Sequence, residues 1–363
     1  MKRRSFLTRT AAGAAVGVAA GAISAPALAQ SLPTLNWRLA SSFPKSLDTL
    51  YGTAEVFTRR VSLLTEGKFN IRVFAGGELV PAFQVADAVQ AGTVEMGHTA
   101  PYYYFGKDTT FAFDCAVPFG LTSRQQTAWY DQGGGRELMR EFYRDYGIIN
   151  FLGGNTGTQM GGWFRKEINT LKDLQGLKMR ISSFAGLVLQ PLGLVPQQIA
   201  GADVYPALER GTLDAVEWTT PYDDEKLGFY KVAPYYYAPG WWEAGAGLSF
   251  YVGLKEWEKL PKLYQHAIEV ASYEAHVSMQ AKYDADNPAA LARMIKNGAK
   301  LRFFSKEIME ASHKQAVQTM EAEAAKNAKF RKIYEPWRRF QRAQNQWLSV
   351  AEVPMANFMI SRR

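Results

Sequence analysis

Ala88-Val89-Gln90-Ala91-Gly92-Thr93-Val94-Glu95-Met96 is matched 119 residues later by Ala207-Leu208-Glu209-Arg210-Gly211-Thr212-Leu213-Asp214-Ala215. Each copy reads as the apolar end of a helix, a glycine that stops it, and a short strand carrying an acidic residue. One helix-to-strand unit used twice predicts two topologically similar α/β lobes. Two lobes imply a cleft between them.

On the N-terminal side, Leu35, Trp37 and Leu39 alternate with polar residues as in a strand, and residues 47–64 recur at helical spacing until Gly67. A second strand follows at residues 69–74, so the chain enters an α/β domain with a parallel sheet. Between the two copies, residues 147–151 read as a strand, 153–162 as a glycine-rich crossing segment, and Trp163-Phe164 as another short strand. Such glycine density serves as a hinge, as a place where a ligand approaches the backbone, or simply as a flexible loop. After Trp242 the pattern is mostly helical. One long helix is expected from Trp257 to about Asp286, Asn287-Pro288 starts another that closes at Asn297-Gly298, and residues 301–304 form a brief strand. From Lys306 the chain is helical again, and Phe330, Ile333, Trp337, Phe340, Trp347 and Leu348 form an apolar stripe. That stripe packs on its own domain or on a second subunit.

Residues 1–29 read as an export signal. Lys2, Arg3, Arg4 and Arg9 precede a small, apolar stretch, and Ala27-Leu28-Ala29 fits a cleavage site before Gln30. Arg3-Arg4-Ser5-Phe6-Leu7 is similar to the twin-arginine signature. Without these residues the formal charge of +8 falls to +4, and the support for a nucleic-acid partner goes with it. The single cysteine leaves no disulfide scaffold; Cys115, among Phe111, Phe113 and Val117, reads as an inert buried thiol. The apolar run 235–254 holds Pro239, Glu243 and several glycines, a poor membrane span.

Catalytic signatures are missing: there is no nucleophile elbow, no phosphate-binding glycine loop, no dinucleotide fingerprint and no His-Glu-x-x-His. His98, His266, His276 and His313 never fall at metal-ligand spacing. In the run 174–181, Leu177, Met179 and Ile181 point one way, Lys178 and Arg180 the other. An arginine at a strand end either faces solvent or grips a carboxylate with two parallel hydrogen bonds. Glu217-Trp218 follows the second repeat strand, where open α/β folds place ligands.

The segment 171–180, then Gly193-Leu194-Val195-Pro196 and 204–217, resembles the periplasmic substrate-binding subunits of tripartite ATP-independent (TRAP) transporters. The resemblance covers residues 31–363 and includes Gly76-Gly77-Glu78-Leu79, similar to the family's Gly-Gln-Leu turn with Glu for Gln. It is closest to the members that bind 2-oxo acids, through Gln159, Glu217-Trp218 and an aromatic-rich cleft. It implies a two-lobed periplasmic binding protein fold of the α/β class, each lobe a mixed sheet flanked by helices, with a long connecting helix and an extended C-terminal helix. Lobe I would comprise 31–152 plus about 243–305, lobe II about 153–242, and residues from about 306 to 363 would be C-terminal helices able to form a homodimer arm.

Position by position, the resemblance implies that Arg180 holds the substrate carboxylate, while Gln159, Glu217 and the Trp218 carbonyl coordinate a cation, Na⁺ first and Ca²⁺ second. These are oxygen donors, as hard cations require. Asn155 donates to the ligand or serves a turn, Glu243 reaches the cation or ligand or makes an interlobe salt bridge, and Tyr102 or Tyr103 closes over the site. The implied partners are a small organic acid anion and the two TRAP membrane permease subunits. The implied function is capture of a small 2-oxo or 2-hydroxy monocarboxylate such as pyruvate in the periplasm, without catalysis. The alternatives are an exported enzyme using Glu217 or Glu243 as general base, and a sensor ectodomain.

Overall fold

Strand β1 (Leu35–Ser41) buries Trp37 and Leu39 while Asn36 and Arg38 face outward, the two-residue period of a strand. This is a computed structural model that describes residues 32–362 apart from Ser182; the export-signal residues 1–29 lie outside the described residues. Helix α1 (Leu50–Leu64) buries Ala54, Phe57 and Val61 at helical spacing, and β2 (Phe69–Phe74) returns parallel to β1. Helix α2 (Val85–Gln90) feeds β3 (Met96–Thr99) on the other side of β1, and α3 (Ser123–Gln132) and α4 (Gly135–Arg144) lead to β4 (Ile148–Asn155).

The chain then crosses into a second sheet through β5 (Gly162–Phe164), β6 (Lys178–Arg180), α5 (Ser183–Leu189), β7 (Val195–Gln197), α6 (Gly201–Glu209), β8 (Ala215–Val216), α7 (Pro221–Leu227) and β9 (Tyr235–Ala238). It recrosses into β10 (Gly247–Gly253), followed by α8 (Leu254–Lys259) and α9 (Lys262–Lys296). Strand β11 (Lys300–Phe303) precedes α10 (Lys306–Lys326), α11 (Ala328–Val350) and α12 (Glu352–Ile360). The strand orders are β2-β1-β3-β10-β4 and β11-β9-β5-β8-β6-β7, and both sheets mix parallel and antiparallel pairs. The fold is therefore α/β with two lobes, each a mixed sheet flanked by helices, joined by a long helix and extended by C-terminal helices.

The two repeat copies are built alike. Gly92 and Gly211 sit at φ 71° and 74°, left-handed backbone that ends α2 and α6. Thr93 N donates to Ala88 O at 2.8 Å, and Thr212 N to Ala207 O at 3.0 Å. Even the acids correspond: Glu95 accepts from the backbone N of Arg38 at 2.7 Å and Asp214 from that of Lys178 at 2.9 Å, each bonding the backbone of a neighbouring strand.

Three expectations are corrected. Helix α9 runs unbroken through Pro288, because Tyr283, Ala290 and Met294 are buried on both sides of it and their packing outweighs the cost of an interior proline, about 3 kcal/mol for the lost hydrogen bond and the ring clash together. Asn287, expected to cap a new helix, instead accepts from Tyr222 N at 3.0 Å. Strand β11, assigned by sequence to lobe I, pairs in parallel with β9 and so extends the second sheet. Part of the glycine-rich crossing segment is ordered strand: Gly153, Gly154 and Asn155 complete β4. A Cβ on Gly154 would lie 2.1 Å from Met279 Sδ at a φ of +125°, so only glycine lets α9 pack there.

The C-terminal stripe divides. Phe330, Ile333 and Trp337 are buried on their own chain, with Phe113 5.6 Å from Trp337 by ring centroid, whereas Trp347 is 59% exposed and Phe358 of α12 is 53% exposed. Cys115 is fully buried, and burial pushes its thiol well up. No helix among the described residues is long and apolar enough to cross a membrane.

Candidate ligand and cation site

Strands β6 and β8 run parallel with Arg180 opposite Val216, and Glu217 N donates to Arg180 O at 3.0 Å. This register brings the Arg180 and Glu217 side chains together just beyond the strand tips. Arg180 Nη1 donates to Glu217 Oε2 at 2.7 Å and to Glu217 O at 2.5 Å, and the guanidinium lies 4.8 Å from the centre of the Trp218 ring. Arg180 is 2% exposed, Glu217 0%, Gln159 2% and Glu243 3%, so every charge here has left water.

Gln159 is fixed by its surroundings. Its N donates to Glu243 O at 3.1 Å, its carbonyl accepts from Gly240 N at 2.9 Å, and Nε2 donates to Thr156 Oγ1 at 3.1 Å. A Cβ on Gly240 would sit 2.6 Å from the carbonyl oxygens of Gln159 and Met160, so this close backbone crossing requires glycine.

What remains is a set of unanswered groups. Gln159 Oε1, Glu217 Oε1, Glu243 Oε2 and Thr219 Oγ1 are buried without a hydrogen-bond partner among the described residues, and so is Arg180 Nε. Buried polar atoms ordinarily find partners, because each orphan costs about 1–3 kcal/mol. Burial pushes the carboxyl of Glu217 up, against the pull of Arg180. Glu243 is also raised, first by burial and then by the nearby Glu217. Two carboxylates facing one arginine, with four unpartnered oxygens, form a donor set suited to a hard cation. Among the described residues no group of three or more His, Cys, Asp or Glu could hold a metal, so any cation here would also use amide or backbone oxygen.

These groups border a nearly closed cavity of about 10 Å³, room for about one water, so a ligand enters only when the walls part. Gln159, Arg180, Trp218, Thr156 and Thr219 line one part of it. Phe43, Leu50, Ala100, Tyr102, Tyr103, Ala246 and Leu248 line the rest.

Of the residues expected from sequence, Arg180, Gln159, Trp218, Tyr102 and Tyr103 line the cavity, and Glu217 is bonded to Arg180 beside it. Glu243 lies against Tyr102 and Gln159, and its expected interlobe salt bridge does not form among the described residues. Asn155 does not line the cavity: Oδ1 accepts from Gly157 N at 2.9 Å and Nδ2 donates to Gly245 O at 3.4 Å, the turn role. Lys178 is exposed. Sequence reasoning missed Phe43, Leu50, Leu248, Thr156 and Thr219. Thr219 directly follows Glu217-Trp218 and Thr156 sits in the glycine-rich crossing, signals that were available. Leu50 and Leu248 have the periodicity of ordinary core.

Residues 40–327 match the family of bacterial extracellular solute-binding proteins, family 7 (DctP), and the chain belongs to that family. Within it, the protein is a TRAP-transporter solute-binding protein of the periplasmic type. A monocarboxylate 2-oxoacid-binding periplasmic protein of Nostoc sp. is 47% identical over 363 residues, covering 99% of this chain and 100% of the relative. A TRAP solute-binding protein from Bordetella bronchiseptica is 51% identical, with a TM-score of 0.90 over 91% of this chain and 98% of that one; it is a mixed-occupancy dimer, with copurified calcium and picolinate in one active site and the other apo. A third, from Pseudoalteromonas atlantica, is 38% identical with a TM-score of 0.87 over 89% and 99% of the two chains, and has bound sodium and pyruvate.

Proposed function

We propose that this protein captures a small 2-oxo monocarboxylate such as pyruvate together with Na⁺ or Ca²⁺ and delivers both to the TRAP permease subunits, breaking no bond. The observation that carries this reading is the buried set of unpartnered oxygens, Gln159 Oε1, Glu217 Oε1 and Glu243 Oε2, beside the free Nε of Arg180. A cation answers the oxygens and a carboxylate answers the arginine. Arg180 keeps Nη1 on Glu217 and presents its Nε edge to the substrate carboxylate. Gln159, Glu217 and the Trp218 carbonyl hold the cation, with Glu243 adjoining, and Tyr102 and Tyr103 cover the ligand. The bound cation supplies charge compensation, without which two carboxylates and an anionic ligand repel one another.

Residues 1–29 carry the chain to the periplasm by the twin-arginine route. Lobe I ends, and lobe II begins, at the crossings near residues 155 and 243. The exposed apolar residues of α11 and α12, Trp347, Val350, Phe358 and Ile360, serve as a homodimer arm.

Calorimetry and thermal shift of the mature protein with pyruvate, with and without Na⁺ or Ca²⁺, test the reading. Cation-dependent binding is expected, and the pyruvate is recovered unchanged. Turnover of pyruvate, or binding indifferent to both cations, would overturn it. Light scattering of wild type and of Trp347→Asp tests the dimer separately: a monomeric wild type removes the arm.

A further inference from the structure

Leu50 lines the cavity, and the two residues before it in the chain reach across to the other lobe. Thr49 Oγ1 donates to Asp223 Oδ1 of α7 at 2.6 Å, and Tyr283 OH of α9 donates to Asp223 Oδ2 at 2.5 Å. Thr49 is 1% exposed, and Asp223 and Tyr283 are 0% exposed. At the rim beside them, Asp48 pairs with Lys226 of α7, lies 3.3 Å from Lys282 of α9, and accepts from Tyr222 OH at 3.0 Å.

The two ends of this contact are anchored in different sheets. Helix α7 is fixed to the second sheet by the neighbouring Asp224, which accepts from Trp163 Nε1 of β5 at 3.0 Å and Tyr236 OH of β9 at 2.7 Å. Helix α1 is fixed to the first, where Phe57 stacks on Phe250 of β10 with centroids 4.1 Å apart. One buried carboxylate thus ties the start of α1 to the opposite lobe, one residue from a side chain that lines the ligand cavity.

We propose that Asp223, gripped by Thr49 and Tyr283, is a closure clasp, a positioning residue that sets Leu50 over the ligand without touching the ligand itself. The proposal rests on the binding function proposed above. Parting the lobes breaks the Thr49 bond but returns the carboxylate to water, so the clasp exchanges one solvation for another. Such an exchange biases the equilibrium between closed and open lobes rather than locking it, and a biased equilibrium sets how long a ligand stays. The exposed Asp48 pairs add a rim contribution that salt screens.

The test uses the mature full chain with Glu55→Cys and Lys172→Cys, exposed positions on α1 and on the second lobe, carrying spin labels. Thr49→Val removes the donor at nearly constant size, and Thr49→Ser restores it. Thr49→Val is expected to lengthen the interlobe distance in ligand-free protein and to speed pyruvate dissociation, with Na⁺ present, about tenfold (about 1.4 kcal/mol) with association unchanged. Thr49→Ser should overlay wild type in both measurements. If Thr49→Val does not fold, Tyr283→Phe removes the other donor and carries the same expectation. An unchanged distance and dissociation rate in a folded variant overturns the clasp. Should wild type bind no pyruvate while Thr49→Val still lengthens the distance, the ligand assignment falls and the clasp stands.

Discussion

The two repeat units end in the same glycine-capped helix and the same short strand, yet their tips differ. Beyond β3 the chain continues into Ala100, Tyr102 and Tyr103; beyond β8 it continues into Glu217, Trp218 and Thr219. Both tips reach the cavity. The first side, with Phe43, Leu50 and Leu248, is apolar and aromatic; the second, with Arg180 and Glu217, carries the charge. On the binding function proposed above, one scaffold used twice would divide recognition: the second lobe would read the charged head of a ligand and the first would measure its tail. Closure matters most for the tail, because apolar area counts only once water has been excluded from it.

The most severe way to break this contrast is Arg180→Met. Losing one member of a buried charge pair costs about 2–5 kcal/mol, so calorimetry should show pyruvate affinity falling by roughly 100-fold or more while circular dichroism stays unchanged. Retained affinity would mean that the charged tip is not the anion grip. Next, Glu217→Gln should lower affinity by about tenfold or more and flatten its dependence on Na⁺ and Ca²⁺; a dependence as steep as wild type would move the cation elsewhere. On the apolar side, Leu248→Ala should weaken pyruvate by about tenfold and penalise bulkier 2-oxo acids less, so a competition series across tail lengths should shift in their favour. Equal losses across the series would deny the first lobe its measuring role.

The smallest effect concerns stability and pH. Burial pushes the carboxyl of Asp224 up to about 7, although Tyr236 and Trp163 donate to it. The folded protein therefore holds this proton more tightly than the unfolded chain does. The resulting stability is fully present below the ordinary carboxylate range and is lost as pH rises through about 7. Asp224→Asn removes that contribution, so the difference in melting temperature between wild type and variant should shift in favour of wild type on going from pH 8 to pH 5. A constant difference across that range would show that Asp224 titrates normally.

Local signals revealed much of this molecule, and their reach explains what they missed. The repeat was readable because a helix stop, a left-handed glycine and a strand are all written within nine neighbouring residues. Arg180 and Glu217 stood out as candidates because charged residues at strand ends break a core pattern, whereas Gln159 and the Trp218 carbonyl were reached only through the resemblance to TRAP binding subunits. Leu50 and Leu248 were not, since a leucine facing a ligand and a leucine facing the core obey the same period. Pro288 misled for a related reason: local propensity favours a break there, and only the burial of Tyr283, Ala290 and Met294 along both flanks keeps α9 whole. The pairing of β11 with β9 depends on a partner some 65 residues away in sequence, which no window shows.

Cys115 carries a consequence of its own. As the one cysteine in the chain, and fully buried, it leaves no crosslink to be formed after translocation. The polypeptide reaches its final covalent state without any oxidant, so its folding can be finished in a reducing compartment and owes nothing to thiol-oxidising helpers.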